Sequence, residues 1–157
     1  LTVERFKREI MLSAALQQDK ASYPAAKKTL QQVLTLKPLF PPAMRDLAVL
    51  CSQHFPDEPK AYDLALKARL SFPDDPNLAK ALGVLAFGQA NYSAAIPYLK
   101  QGLQTYPNDA ELLYYLGMSQ YQLKASAESK ATLQRALALN VPPKLADQAR
   151  RVLSQLK

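Results

Sequence analysis

The sequence predicts an all-α fold of four helix-turn-helix repeats followed by a closing helix. Three observations predict it. The stretch from Pro76 to Asp109 carries two apolar stripes at helical spacing, Leu78, Leu82, Leu85 and Ala86, then Ala95, Ile96, Leu99 and Leu103. Three series of residues then recur on one register. Ala14, Ala48, Gly83 and Gly117 are spaced 34, 35 and 34; Ala26, Ala61, Ala95 and Ser129 are spaced 35, 34 and 34; Pro38, Pro73 and Pro107 are spaced 35 and 34. Finally, 48% of the residues are apolar, enough to bury a core, yet no run approaches the roughly 18 needed to span a membrane.

The first repeat covers about residues 7–40. Its first helix is expected to begin near Val3 with Thr2 as cap, and it turns inward Ile10, Ser13, Ala14 and Gln17. Gln18 to Ser22 is the turn. Ser22-Tyr23-Pro24 opens the second helix, with proline in the first turn where no donor is lost. Ala26, Leu30, Val33 and Leu34 form its inner face, and Lys37-Pro38 ends it.

The second repeat, 41–75, is one residue longer. Met44, Leu47, Ala48 and Cys51 face inward from its first helix. Its turn, His54 to Pro59, carries the extra residue and two prolines. Ala61 and Ala68 are the small residues of its second helix, and Ala65 stands where the third repeat has Leu99. Asp57-Glu58 and Asp74-Asp75 read as capping residues at helix starts.

The third repeat, 76–109, turns at Gly88-Gln89-Ala90-Asn91, with Asn91 as N-cap. A side chain larger than those of Gly83 and Ala95 would hold its two helices apart. Pro97 lies near the start of the second helix, where a mild kink is expected and not a break. The fourth repeat, 110–143, places Leu113, Leu116 and Gly117 inward, starts its second helix at a capping Ser126, and buries Leu133, Ala136 and Leu137. Residues 144–157 form the closing helix. Leu145, Ala149, Val152, Leu153 and Leu156 make its apolar stripe, and Lys144, Asp147, Arg150, Arg151 and Lys157 its polar side. Such a helix gives a stack of repeats a soluble end.

The period and the pattern of small residues and closing prolines resemble the tetratricopeptide repeat. With the closing helix, the resemblance covers nearly the whole chain, read as a single domain, 1–157. The family's tryptophan and tyrosine in the first helix are replaced by Ile10, Met44, Ala79 and Leu113, and by Gln17, Cys51, Ala86 and Gln120. The resemblance implies a right-handed superhelical α-solenoid that binds protein or peptide ligands in a concave groove lined by the first helices. The positions it implies are Arg8, Met11, Ala15 and Gln18, then Arg45, Val49, Ser52 and Gln53, then Asn77, Lys80, Val84 and Phe87, then Glu111, Tyr114, Met118 and Tyr121. Among them Met11, Val49, Val84, Phe87, Tyr114, Met118 and Tyr121 make an apolar strip rimmed by Arg8, Arg45 and Lys80. Aromatic, methionine and arginine residues are the types enriched at interfaces. Phe87, Tyr114 and Tyr121 are the expected anchors and are expected to point away from the neighbouring helices. The clamp with which some tetratricopeptide domains hold chaperone tails is rejected, because Val84 stands where that clamp needs asparagine.

Catalytic signals are close to absent. The single cysteine and single histidine fall in Cys51-Ser52-Gln53-His54, where a thiol–imidazole pair is conceivable, but Cys51 is at an inward position. Metal binding lacks further ligands, the four glycines make no phosphate loop, and no cofactor is expected. A lone cysteine allows no internal disulfide. The net charge of +7 favours acidic partners, but it is spread along the chain. Its densest runs, Arg5-Phe6-Lys7-Arg8, Lys27-Lys28 and Arg150-Arg151, read as solvated helix surface and not as a nucleic-acid site.

The function expected is non-catalytic protein interaction. Two other readings stand beside it: an accessory domain holding the substrate of a larger enzyme of glycosyltransferase or sulfotransferase type, and a periplasmic scaffold for polysaccharide or envelope assembly. The chain does not begin with methionine and reads as cut or processed from a longer protein, so the compartment stays open. No cap helix covers Phe6 and Ile10, so self-association through the N-terminal end is also expected.

Overall fold

Amphipathic stripes, closing prolines and capping side chains give nine α-helices and no strand among the described residues of the computed structural model. Those are residues 2–16 and 22–156, without the side chains of 10, 11 and 13–16. The helices are α1 (Val3–Leu16), α2 (Tyr23–Leu36), α3 (Pro41–His54), α4 (Ala61–Arg69), α5 (Pro76–Gly88), α6 (Tyr92–Thr105), α7 (Ala110–Gln122), α8 (Ser126–Ala138) and α9 (Pro143–Gln155). They form two compact bodies, Leu1–Ala81 and Leu82–Lys157, with α5 running from one into the other. No described helix is long and apolar enough to cross a membrane.

In the N-terminal body, α1 begins where expected. Thr2 accepts from the Arg5 N–H with its hydroxyl at 3.4 Å and from the Phe6 N–H with its carbonyl at 3.2 Å. The expected turn from Gln18 lies outside the described residues as far as residue 21. Pro24 sits in the first turn of α2, whose Ala26, Leu30 and Val33 are fully buried, with Leu34 half-buried. Phe6 is not bare, because its ring lies 6.0 Å from that of Phe40. Val3 and Leu12 of α1 remain 62% exposed.

The inward residues of α3, Met44, Leu47, Ala48 and Cys51, are buried as the period requires. The longer turn that follows is pinned from α2. Lys27 Nζ lies 2.5 Å from a Glu58 carboxylate oxygen and 4.7 Å from the centre of the Phe55 ring, and Tyr23 stacks on His54 at 3.6 Å. The expectation for Asp57-Glu58 is thereby corrected. The helix starts later, at Ala61, and the Glu58 side chain reaches Lys27 and caps nothing. Asp75 does cap α5, accepting from the N–H groups of Asn77 at 2.8 Å and Leu78 at 3.0 Å.

In the C-terminal body the helix pairs are set by glycine. A Cβ on Gly83 would stand 2.5 Å from Leu99 Cδ2, and one on Gly117 would stand 2.7 Å from Leu133 Cδ2. Real carbons do not approach so closely, so α5 against α6 and α7 against α8 depend on the missing methyl. The two contacts repeat with the same geometry one period apart. Ser129, at an alanine site in the other repeats, is buried, and its hydroxyl donates to the Gly117 carbonyl at 2.8 Å, which offsets the burial of the hydroxyl.

Asn91 and Asp109 cap α6 and α7, accepting from Ala94 N at 3.3 Å and Leu112 N at 3.0 Å. Pro97 leaves α6 unbroken. Ser126 is corrected by one position: it is the first residue of α8, and Ala125 is the cap, without a side-chain bond. α5 and α7 end alike. The N–H groups of Ala90 and Asn91 return to Phe87 O and Ala86 O, both at 2.9 Å, and those of Lys124 and Ala125 return to Tyr121 O and Gln120 O. This double return requires a left-handed residue, and Ala90 (φ 58°) and Lys124 (φ 64°) supply it without being glycine. Ala90→Gly is therefore expected to raise stability by about 0.5–1 kcal/mol, because the left-handed cost of the Cβ exceeds the extra entropy of glycine. Chemical denaturation of the two forms, with unchanged m-value, checks this.

Candidate functional site

The first-helix positions were expected to form one strip, and the structure sorts them by burial. In the N-terminal body, Arg8 and Asn77 are exposed, and Val49 and Lys80 are half-buried. Gln53 is exposed, and Ser52 donates its hydroxyl back to Val49 O at 2.7 Å. The side chains of Met11 and Ala15, and Gln18 entirely, lie outside the described residues.

Arg45 is not a free rim cation. Its guanidinium bridges Asp46 at 2.6 Å and, through Nε, Asp75. Burial and then the Arg45 hydrogen bond act in opposite senses on the two carboxyls. For Asp46 burial wins and its pKa is raised. For Asp75 burial is outweighed by the hydrogen bonds from Arg45 and from the first N–H groups of α5, and its pKa is lowered. Asp75 thus ties α3 to the start of α5 while capping that helix.

In the C-terminal body, Phe87 is half-buried at the end of α5. Its ring meets Tyr92 edge-on at 5.4 Å and Tyr115 edge-on at 5.2 Å, and Tyr115 in turn meets Tyr114 at 5.1 Å. Val84, Glu111, Met118 and Tyr121 are also half-buried. Tyr114 departs from expectation. It is 2% exposed and belongs to the core with Leu113, Leu133, Ala136, Val141, Ala146, Ala149 and Val152. The reason is α9, which lies over this part of α7; the Tyr114 hydroxyl donates to Gln148 Oε1 and that of Tyr121 to Gln155 Oε1 at 2.6 Å. Tyr114 is a packing residue and not an exposed anchor, and Met118 and Tyr121 pack against the same cluster.

Sequence reading passed over Tyr92, Tyr115, Gln148 and Gln155. The glutamines carried a legible signal, since 114 and 148, and 121 and 155, are each one 34-residue period apart. α9 therefore occupies the place of a further first helix. Arg151 stands on it where Gly117 and Gly83 stand, one and two periods earlier, and is exposed. Arg151 sets α9 apart from α5 and α7, where glycine at this position admits a closely packed second helix.

The remaining chemistry is muted. Burial pushes the Cys51 thiol up to about 11, with Lys27 lowering and Glu58 raising it less. Among the described residues no group of three or more His, Cys, Asp or Glu could hold a metal. Each dense basic run has a cation already paired: Arg5 with Glu9 at 3.6 Å, Lys7 with Glu4 at 3.3 Å, Lys27 with Glu58, and Arg150 with Asp147 at 3.1 Å.

Residues 86–146 match the family profile of the tetratricopeptide repeat. This segment is tetratricopeptide repeat. Solved structures extend the likeness of fold to nearly the whole chain. One described as MamA AMB-1 superposes with a TM-score of 0.74 at 18% identity, covering 98% of this chain and 85% of its own. The pilF protein of Pseudomonas aeruginosa gives 0.67 at 24%, covering 98% and 77%. MamA residues 41-end from Desulfovibrio magneticus RS-1 gives 0.67 at 16%, covering 94% and 93%. No curated protein matches the chain in sequence. The chain therefore has the all-α repeat architecture expected, with nine helices and no strand among the described residues.

Two outcomes follow from the burial of the tetratricopeptide aromatics. Tyr114→Ala should cost about 3–5 kcal/mol as a core truncation, and Phe87→Ala about 1–3 kcal/mol for two edge-on ring pairs; urea melts of both variants measure the order. The second concerns pH. Burial, then Tyr115, pushes Tyr114 up to about 12, and Cys51 is raised as well. A group whose folded pKa is raised contributes stability that is complete below its unfolded pKa, about 8.5 for the thiol and about 10 for the phenol, and that is lost as pH rises through the folded value. Thermal stability should fall between about pH 9 and 12, and Tyr114→Phe should flatten the upper part of that fall.

Proposed function

We propose that this chain is a non-catalytic protein-interaction scaffold whose first helices seat a segment of a partner protein. Phe87, with Val84, Met118 and Tyr121, supplies the apolar contacts in the C-terminal body. Arg8, Met11, Val49, Asn77 and Lys80 are the corresponding positions in the N-terminal body, where Arg45 is held by Asp46 and Asp75.

The observation that supports this most is the state of Phe87. It is half-exposed, yet its ring is braced edge-on by Tyr92 and Tyr115. A braced aromatic loses little rotamer freedom on binding and contributes large apolar area, which is how binding hot spots work. The non-catalytic reading agrees with the chemistry of the one cysteine. A buried thiol whose pKa is raised supplies almost no thiolate at neutral pH. Nucleic acid is disfavoured as a partner because the basic runs are partly neutralised within the chain, and phosphate contacts need unpaired cations. An acidic preference of the partner would rest on Arg8, not on Arg45.

Photo-crosslinking residues placed at Val84 and at Tyr121 should capture one and the same protein in cells, while the same residue at the exposed Lys130 of α8 should not. Phe87→Ala should then weaken binding of that purified partner by about 1–3 kcal/mol, with little change on raising the salt. Equal capture from Lys130, or an affinity that falls steeply with salt and ignores Phe87, would contradict the proposal.

A further inference from the structure

α7 and α9 are joined by two rungs of the same kind. The Tyr114 hydroxyl donates to Gln148 Oε1, and that of Tyr121 donates to Gln155 Oε1 at 2.6 Å. On each helix the two residues are one heptad apart, so both rungs lie on one face, spaced about 10.5 Å along α9. Each glutamine oxygen is thus taken. Each Nε2 group has no other partner among the described residues and belongs to an exposed side chain. The tyrosine bond orients the amide, so its two N–H donors are set before anything binds. On α7, Met118 stands between the two tyrosines on the same face, and Tyr115 links this face to the Phe87 ring at 5.2 Å.

We propose that the segment seated on the C-terminal body is proline-rich and in the polyproline II conformation, with its rings on Phe87, Met118 and Tyr121 and its main-chain carbonyls against the Nε2 groups of Gln148 and Gln155. This rests on the protein-interaction reading above and names the chemistry of the partner at that site. Two features select it. The first is the balance of donors and acceptors. Oriented N–H donors call for carbonyls that are not already bonded. A helix bonds its carbonyls to itself, whereas a polyproline II segment leaves all of them open. Proline also lacks an N–H, so such a segment brings acceptors with few donors of its own to satisfy. The second feature is spacing. Polyproline II repeats every three residues, about 9.3 Å, close to the separation of the rungs; carbonyls on one side of a β-strand recur about every 6.7 Å. Aromatic-lined surfaces suit such segments, because the preformed helix has little entropy to lose.

The probe is a blocked oligoproline of about ten residues, roughly three turns, with a Gly-Ser peptide and an amphipathic helical peptide of equal length for comparison. Added to the isotope-labelled chain up to about 1 mM, oligoproline should move the side-chain amide signals of Gln148 and Gln155, and the other peptides should leave them in place. Gln148→Glu and Gln155→Glu keep an oxygen for the tyrosine and remove the N–H donors. Each should weaken oligoproline binding about three- to tenfold, while Gln134→Glu, the same change at an exposed position of α8, should not. Should either rung variant unfold, the amide signals of the natural chain decide alone. The proposal is overturned if those signals stay in place with oligoproline, if the helical peptide moves them equally, or if Gln134→Glu weakens binding as much as the rung variants do. Capture of one partner from Val84 and Tyr121, with the amides unmoved by oligoproline, would overturn this proposal and leave the scaffold reading standing. Failure of that capture as well would overturn both.

Discussion

The close approach of paired helices at a single small residue is the constraint on which this architecture depends. At Gly83 and Gly117 the space a methyl group would need is already filled by Leu99 and Leu133. That distance fixes how α5 lies on α6 and α7 on α8, and hence which residues become core. The second repeat meets the same constraint differently. Ala48 already carries the Cβ, and its second helix has Ala65 where the third repeat has Leu99; both alanines are fully buried. The second repeat thus carries a larger residue than glycine at the one position and a smaller residue than leucine at the other.

The same economy decides between surface and core. A first-helix residue stays at the surface only while no later helix covers it. Tyr114 is covered because α9 arrives one period later with Gln148 opposite its hydroxyl. Phe87, whose neighbours are Tyr92 and Tyr115, keeps an open side. Electrostatics follows this pattern. Arg45 carries interface chemistry in its residue type, but Asp46 and Asp75 take its charge, and Asp75 at the same time caps α5.

Much of this was legible in the sequence because the information is local or periodic. Helix starts at Thr2 and Asn91 follow from side chains that reach N–H groups three residues on. The inner faces follow from the 3.6-residue and 34-residue periods together. What was not legible depends on contacts between elements far apart in the chain. Glu58 sits where a capping residue could, and only the position of Lys27 shows that it does something else. Tyr114 has the same residue type and helix position as a groove anchor, and only the docking of α9 removes it from the surface. Ser126 was misplaced by one residue because Ala125 ends the preceding turn with a backbone return to Gln120 O, leaving the serine inside the helix.

A double-mutant cycle on Gly83 and Leu99 tests the central claim most directly. An exposed helical glycine gains about 1 kcal/mol on becoming alanine, whereas overpacking costs roughly 1–3 kcal/mol. With Leu99 Cδ2 at 2.5 Å and the Leu99 backbone nitrogen at 3.3 Å from the added carbon, overpacking should win, and Gly83→Ala should destabilise. Leu99→Ala alone should cost about 2–5 kcal/mol. The double variant recreates the pair found at Ala48 and Ala65, so the new methyl fills part of the cavity. It should be more stable than the sum of the two single changes by more than about 1 kcal/mol, beyond the few tenths within which independent sites add. Strict additivity, or a Gly83→Ala variant more stable than the natural chain, would contradict the account.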